Sequence, residues 1–300
     1  MGAQETMPSL AAAIAPHGHA RDRVVVLGRT QAGKTVYLSA LYYTLWKEKS
    51  EIRVRALDGP THKACIEVID SLKRGVWPSS TIGSRYLNME VSYKGAWRPL
   101  VSLDYPGEVF RKAFIDNTTG SDVEDLLDHI DRAAGVILLL DPAVVVEQGM
   151  MISMDDDFGM MKAIERIRAW PDGAEVPIAL VLTKYDRRRH IIEAEGNLAS
   201  FVKKHYRALL RVCVHLRTFV CSAVQEQGGP NHSKIRPDFR PTGVVAPLRH
   251  ILESLTQHAN QKAQLEQQRR QLDAAREYAQ SAVRRRSRTM WLIVCAVVFG

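Results

Sequence analysis

The chain has 300 residues, 46% hydrophobic and 25% charged, with a net charge of +8. That is ordinary globular composition, sufficient for one domain of roughly 200–250 residues with a sizeable core, plus extensions. Its four cysteines, Cys65, Cys213, Cys221 and Cys295, form no C-x-x-C pair and have no histidine cluster beside them. This excludes a metal or disulfide framework and leaves reduced thiols packed as small hydrophobes.

Residues 1–22 are rich in Ala, Pro, Gly and His and lack a basic segment followed by an apolar core, so they read as a disordered tail rather than a signal peptide. The apolar run Val24 to Leu27 predicts a buried parallel strand. From Gly33 a helix follows, with Val36, Leu38, Leu41, Tyr42, Leu45 and Trp46 at helical spacing. Residues 50–57 read as a short strand, and Thr61 to Arg74 as a helix ended by Gly75 and Pro78. Arg85 to Tyr93 and Trp97 to Leu103 read as a hairpin around the three-residue loop Lys94-Gly95-Ala96. Val123 to Ala134 is a helix, Gly135 to Leu140 a buried strand and Asp156 to Trp170 a helix. Pro177 to Leu182 is a strand, Asn197 to Val212 one helix and Arg217 to Cys221 the last strand. Strands that alternate with helices imply a mostly parallel α/β sheet with helices on both faces, and the hairpin implies one antiparallel neighbour.

Residues 225–243 are Pro/Gly-rich and polar and read as a loop. Val244 to Leu255 closes the domain as a helix. Beyond it the composition turns to Gln, Ala, Arg and Glu, with Leu265, Leu272 and Ala279 at seven-residue spacing: a weak coiled coil or a single polar spacer helix. The basic run Arg284-Arg285-Arg286-Ser287-Arg288 favours a phosphate-bearing membrane surface. The ten apolar residues Met290 to Phe299 that follow are fewer than the about 20 a spanning helix needs. They read either as the start of a transmembrane helix, the favoured reading, or as a tail that only dips into the interface; arginines before a span would orient it with the domain in the cytoplasm. The expected organisation is therefore a tail over 1–22, a domain over 23–258, a polar helix over 259–289 and an apolar segment over 290–300.

Gly28-Arg29-Thr30-Gln31-Ala32-Gly33-Lys34-Thr35 matches G-x-x-x-x-G-K-[ST] between a predicted strand and a predicted helix, the context a P-loop requires. The loop amides and the helix N-terminus, through Val36, would cradle phosphates. Lys34 would reach the β and γ phosphates, and the Thr35 hydroxyl would hold Mg²⁺. Asp104-Tyr105-Pro106-Gly107 ends a predicted strand and resembles the D-x-x-G motif. Thr183-Lys184-Tyr185-Asp186 follows PIALVL and looks like the N-K-x-D guanine reader, with threonine for asparagine. Cys221-Ser222-Ala223 resembles the S-A-K loop, with Val224 where lysine is usual.

Four motifs in this order, over about residues 23–255, resemble the Ras-like (TRAFAC-type) P-loop GTPase superfamily. The extra helix ending at Pro78 and the Pro-rich loop look like bacterial Ras-like GTPases of multi-protein cassettes. The resemblance implies a three-layer P-loop domain that binds GTP/GDP and Mg²⁺. In that reading Asp104 serves Mg²⁺, Gly107 senses the γ-phosphate, and Thr183, Lys184, Asp186, Ser222 and Ala223 hold the base. Thr81, 23 residues before Asp104, is the expected switch I threonine on Mg²⁺, ahead of Thr61. Glu108 stands where a water-orienting glutamine is usual and is a candidate catalytic residue, as a base toward water, or else a surface residue with another group orienting the water; Arg29, Arg74 and Arg85 are candidate arginine fingers in cis. The function expected is a slow GTP-hydrolysing switch, displaying residues 76–88 and 105–122 to a protein effector and held at the inner membrane. A non-hydrolysing nucleotide-dependent scaffold and a P-loop ATPase are the alternatives. Nucleic acid is not an expected partner, because the basic run lies far in sequence from the P-loop.

Overall fold

The computed structural model describes residues 21–29, 31–48, 50–78, 85–105, 107–147, 149–171, 173–213, 216–227, 234–236 and 238–299, with the side chains of 85, 102, 104, 147, 150 and 280–299 outside the description. Thr30 and Thr81 therefore lie outside it, as do the side chains of Asp104 and Arg85. The element order is β1 (Arg23–Leu27), α1 (Lys34–Lys47), β2 (Ile52–Ala56), α2 (Gly59–Lys73), β3 (Arg85–Tyr93), β4 (Ala96–Asp104), α3 (Gly107–Phe114), α4 (Ser121–Asp131), β5 (Ala133–Leu140), α5 (Pro142–Glu147), α6 (Met150–Arg168), β6 (Ile178–Leu182), α7 (Tyr185–Ala194), α8 (Leu198–His205), α9 (Arg207–Val212), β7 (Leu216–Val220), β8 (Glu226–Gln227), β9 (Lys234–Ile235) and α10 (Val245–Phe299).

Seven strands form one sheet in the order β2-β3-β4-β1-β5-β6-β7. β3 is antiparallel to both its neighbours, and every other pairing is parallel. The central strands β1, β5 and β6 are apolar without alternation because both faces are covered. On one face Val25, Leu27, Leu138 and Leu180 pack with Phe110, Leu126, Ile164, Phe201 and Leu209 from α3, α4, α6, α8 and α9. The opposite face carries α1, α2 and the first turns of α10, where the Tyr37 hydroxyl donates to the Val244 carbonyl at 2.8 Å. Three layers result.

Several boundaries depart from expectation for local reasons. The β3–β4 turn has two residues, not three: Lys94 and Gly95 both take positive φ (51° and 83°), and Ala96 pairs with Tyr93. That turn matches the twist of the strands it joins. The helix expected over Val123 to Ala134 ends at Asp131, and β5 starts at Ala133. The single helix expected over Asn197 to Val212 breaks at Tyr206 (φ −124°, ψ 52°), where the Asp157 carboxylate takes the amides of Ala208 and Leu209 and starts α9. The helix expected from Asp156 begins at Met150, and α3, α5 and α7 occupy segments the periodicity left unassigned. The 225–243 loop contains the short β8–β9 hairpin and a Ser222–Thr242 bridge. Thr61, the second choice for switch I, ties α2 to the sheet: buried in the first turn of α2, its hydroxyl accepts from the Asn88 amide of β3 at 3.0 Å, and its own amide donates to the N-cap Asp58.

The chain divides into two compact units at Glu253/Ser254. The second is a continuation of helix α10, and its residues 261–279 are exposed on every side. Among the described residues no helix is long and apolar enough to cross a membrane.

Candidate functional site

Strand register decides where the motifs meet. Val24 pairs with Leu100 in parallel, so four residues on, Gly28 and Asp104 stand level. The pairs Leu27↔Leu138, Leu140↔Leu182 and Leu182↔Val220 bring the carboxyl ends of β1, β5, β6 and β7 to the same edge. Open α/β sheets bind ligands just outside this edge. The P-loop, D-Y-P-G, T-K-Y-D and C-S-A segments all leave from it.

The P-loop is pressed against β5. A Cβ on Gly28 would lie 2.8 Å from the Leu139 carbonyl oxygen and 3.1 Å from the Ala32 Cβ, so only glycine fits. Gly33, at φ 83°, is the left-handed residue that turns the loop into α1 and leaves the first amides of that helix at its mouth. Gln31 (φ 65°) is exposed and Ala32 is buried. Lys34 is only 6% exposed. Its ammonium donates to the carbonyls of Gly28 (2.8 Å) and Arg29 (3.3 Å) and lies 4.4 Å from the centre of the Tyr105 ring. Tyr105 is itself buried, and its hydroxyl donates to the Gly28 carbonyl (3.2 Å) and accepts from the Gly28 amide (3.3 Å).

The Arg29 guanidinium turns to α6, donating to the Ile152 carbonyl at 3.2 Å and pairing with Asp156 at 3.5 Å. This anchoring, rather than an arginine finger, is the geometry of Arg29. Arg74 is exposed at the C-cap of α2. Burial pushes the Asp156 carboxyl up to about 6, against the pull of Arg29 and of the Tyr206 hydroxyl at 3.4 Å. Arg29, Asp156, Asp141 and Val144 line a cavity of about 140 Å³ beside the loop.

At the other end of the edge, the Thr183 hydroxyl and amide both donate to the Leu140 carbonyl (3.1 and 2.8 Å), joining β6 to β5. Lys184 takes a left-handed backbone (φ 55°), and its ammonium donates to Asp141 at 2.7 Å. Asp141, 6% exposed, also accepts the Ala143 amide and pairs with Arg188 at 3.5 Å. Asp186 is exposed at the start of α7; its carboxylate accepts from the Glu226 amide (3.2 Å), and its own amide donates to the Ser222 hydroxyl (2.9 Å). Ser222 is held in turn by reciprocal backbone bonds to Thr242, with Ala223 following it. The residues expected to read a base are thus together, with Asp186 exposed and one of its carboxylate oxygens taking the Glu226 amide. The Cys221 thiol beside them is pushed up to about 12 by burial, with Asp186 adding to the shift, and is inert.

Asp104 ends β4, and Gly107 opens α3 as a buried residue with Glu108 exposed next to it. Thr35 lies in the first turn of α1, whose loop follows the neighbouring strand β1. A threonine hydroxyl and an aspartate at one strand edge are a hard oxygen donor set, which fits Mg²⁺ shared with phosphate oxygens.

The pattern of the sequence missed Tyr105, Asp141, Asp156 and Glu226. Asp141 had a signal, since it follows an apolar strand just as Asp104 does. Asp156 sits in a Met/Asp-rich helix and gave none.

A family model described as Double-GTPase 1 matches residues 25–177. No curated protein matches the chain. Among solved structures, the G domain of the T. maritima FeoB iron transporter is similar at 16% identity and TM-score 0.35, over 79% of this chain and 98% of that one. The bacterial selenocysteine-specific elongation factor EF-Sec is similar at 14% identity and TM-score 0.33, over 68% of this chain and 26% of that one.

Proposed function

The chain belongs to the Double-GTPase 1 family, a Ras-like P-loop GTPase, and from that premise we propose that it is a Mg²⁺-dependent switch that hydrolyses GTP slowly by itself. One arrangement carries the reading: the P-loop and the Asp186 base reader leave the same sheet edge, with Lys184 and Asp141 between them. Guanine offers two N–H donors to a carboxylate where adenine has none in that arrangement, so Asp186 selects GTP. Gly33 and the first turn of α1 bind the phosphates, and Lys34 neutralises charge between the β and γ positions. Thr35 and Asp104 would hold Mg²⁺, with Thr81 as a further ligand; the ion would supply charge neutralisation on the phosphate oxygens. Gly107 reads the γ-phosphate through its amide.

Slow turnover follows from Glu108. A carboxylate repels the anionic γ-phosphate and has no amide with which to orient water. Residues 76–88 and 105–122 form the effector surface in this reading. The arginine run before the apolar C-terminal segment supports attachment to the cytoplasmic face of a membrane.

The test is a competition on the full chain loaded with fluorescent GDP and Mg²⁺. Displacement by GTP and GDP but not ATP or ADP is expected, with single-turnover hydrolysis below about 1 s⁻¹. Equal competition by adenine nucleotides would make the chain an ATPase, and faster turnover would reject the slow switch. A second reading, nucleotide-dependent assembly, is favoured by Leu265 and Leu272, 66% and 61% exposed at seven-residue spacing on α10. Sedimentation with GDP and with a slowly hydrolysed GTP analogue separates it: a change of oligomeric state without turnover selects the scaffold.

A further inference from the structure

We propose that Tyr105, inside the D-x-x-G segment, is a positioning residue that couples γ-phosphate sensing to the P-loop and its lysine; the assignment rests on the GTPase reading above. Contacts with the loop, its lysine and α3 meet on this side chain. The hydroxyl holds both polar groups of Gly28, accepting its N–H at 3.3 Å and donating to its carbonyl at 3.2 Å. The ring face lies 4.4 Å from the Lys34 ammonium. The ring also stacks with Phe110 of α3, at 6.5 Å and 14° between planes, and Phe110 in turn packs on Phe114 at 4.9 Å. Tyr105 is 1% exposed, so the hydroxyl has little water to turn to instead.

The chemistry of the contacts gives the direction of coupling. Gly28 O accepts from both Lys34 and Tyr105. A triphosphate competes for Lys34 and, through Gly107, pulls on the segment that carries Tyr105. The Tyr105 hydroxyl then remains as the partner of Gly28, and its ring keeps the ammonium from swinging off the phosphates. Movement of α3 reaches the same ring through Phe110. A diphosphate makes no demand on Gly107, so the coupling favours the triphosphate state.

The experiment compares the full wild-type chain with Tyr105→Phe, which keeps the ring and loses only the hydroxyl. Dissociation constants are measured for fluorescent GDP and for a slowly hydrolysed GTP analogue, with Mg²⁺. The triphosphate-over-diphosphate preference is expected to fall about threefold to tenfold in the variant, the span of one neutral hydrogen bond. The guanine-over-adenine preference is expected to stay unchanged. Equal weakening of both nucleotides, or an unchanged ratio, overturns the assignment. As a check that does not depend on how the variant folds, 3-fluorotyrosine is placed at position 105 alone. Its ¹⁹F resonance is expected to shift when GDP is exchanged for the GTP analogue, and an unmoved resonance rejects the coupling. If the wild-type chain binds no guanine nucleotide, the GTPase reading falls and takes this assignment with it. If the wild type binds and Tyr105→Phe keeps its ratio, only the assignment falls.

Discussion

At the phosphate end of the strand edge, Lys34 and Tyr105 are buried and the loop is held by side chains from β4's exit and from α6. At the base end, Asp186 is exposed and is held by a backbone amide and a serine hydroxyl from the loops after β7. In the proposed function the first end would meet a ligand whose negative charge is large and must be matched in a dry site, where each charge counts for more. The second would meet a flat, neutral base, for which the direction of two acceptor lone pairs matters more than dielectric. The same sheet edge therefore combines a deep electrostatic socket with a shallow hydrogen-bond template.

This contrast predicts unequal sensitivities. The largest belongs to Lys34→Ala, which removes the buried cation: GTP-analogue affinity should fall by about 300-fold or more, measured by fluorescent-nucleotide titration. A loss below tenfold would mean the loop amides alone bind the phosphates.

The next effect is on stability. A carboxyl whose pKa rises on folding binds its proton more tightly in the fold than in the unfolded chain. Its contribution is complete below 3.8 and is lost as pH rises through about 6. Asp156 should thus make nucleotide-free stability decline between pH 4 and 6 by on the order of 3 kcal/mol relative to Asp156→Asn. Denaturant melts across that range measure it, and parallel curves for the two proteins would remove Asp156 from the pH response.

Asp186→Asn should cost GDP about 30-fold while improving xanthine nucleotides, because an amide donor now faces the 2-carbonyl of xanthine. An unchanged guanine preference would detach Asp186 from the base. The smallest effect is expected of Thr183→Val, about threefold in GDP affinity. Its hydroxyl is spent on the Leu140 carbonyl, a bond doubled by the Thr183 amide. A large loss there would show that the hydroxyl turns to the base.

Much of the fold was legible because its cues are local. Val24 to Leu27 and Ile178 to Leu182 identify themselves by apolar runs, and the hairpin by the glycine between two strands, although its turn is one residue shorter than expected. The break at Tyr206 was not legible, since Asp157 caps α9 from another helix. Nor was the fate of Arg29, which reads as a candidate arginine finger in the P-loop until α6 is placed beside it.

The sequence by itself determined the phosphate loop, the strand ends that carry Asp104 and Asp186, and the alternation that makes the domain α/β. Those features depend on neighbours a few residues away, where backbone geometry leaves few choices. The tertiary structure alone decided that Tyr105 meets Gly28 across 77 residues, Lys184 meets Asp141 across 43 and Asp186 meets Glu226 across 40. Such pairs depend on which strands become neighbours and in what register. That is settled by burying the whole sheet at once, and no local pattern along the chain encodes it.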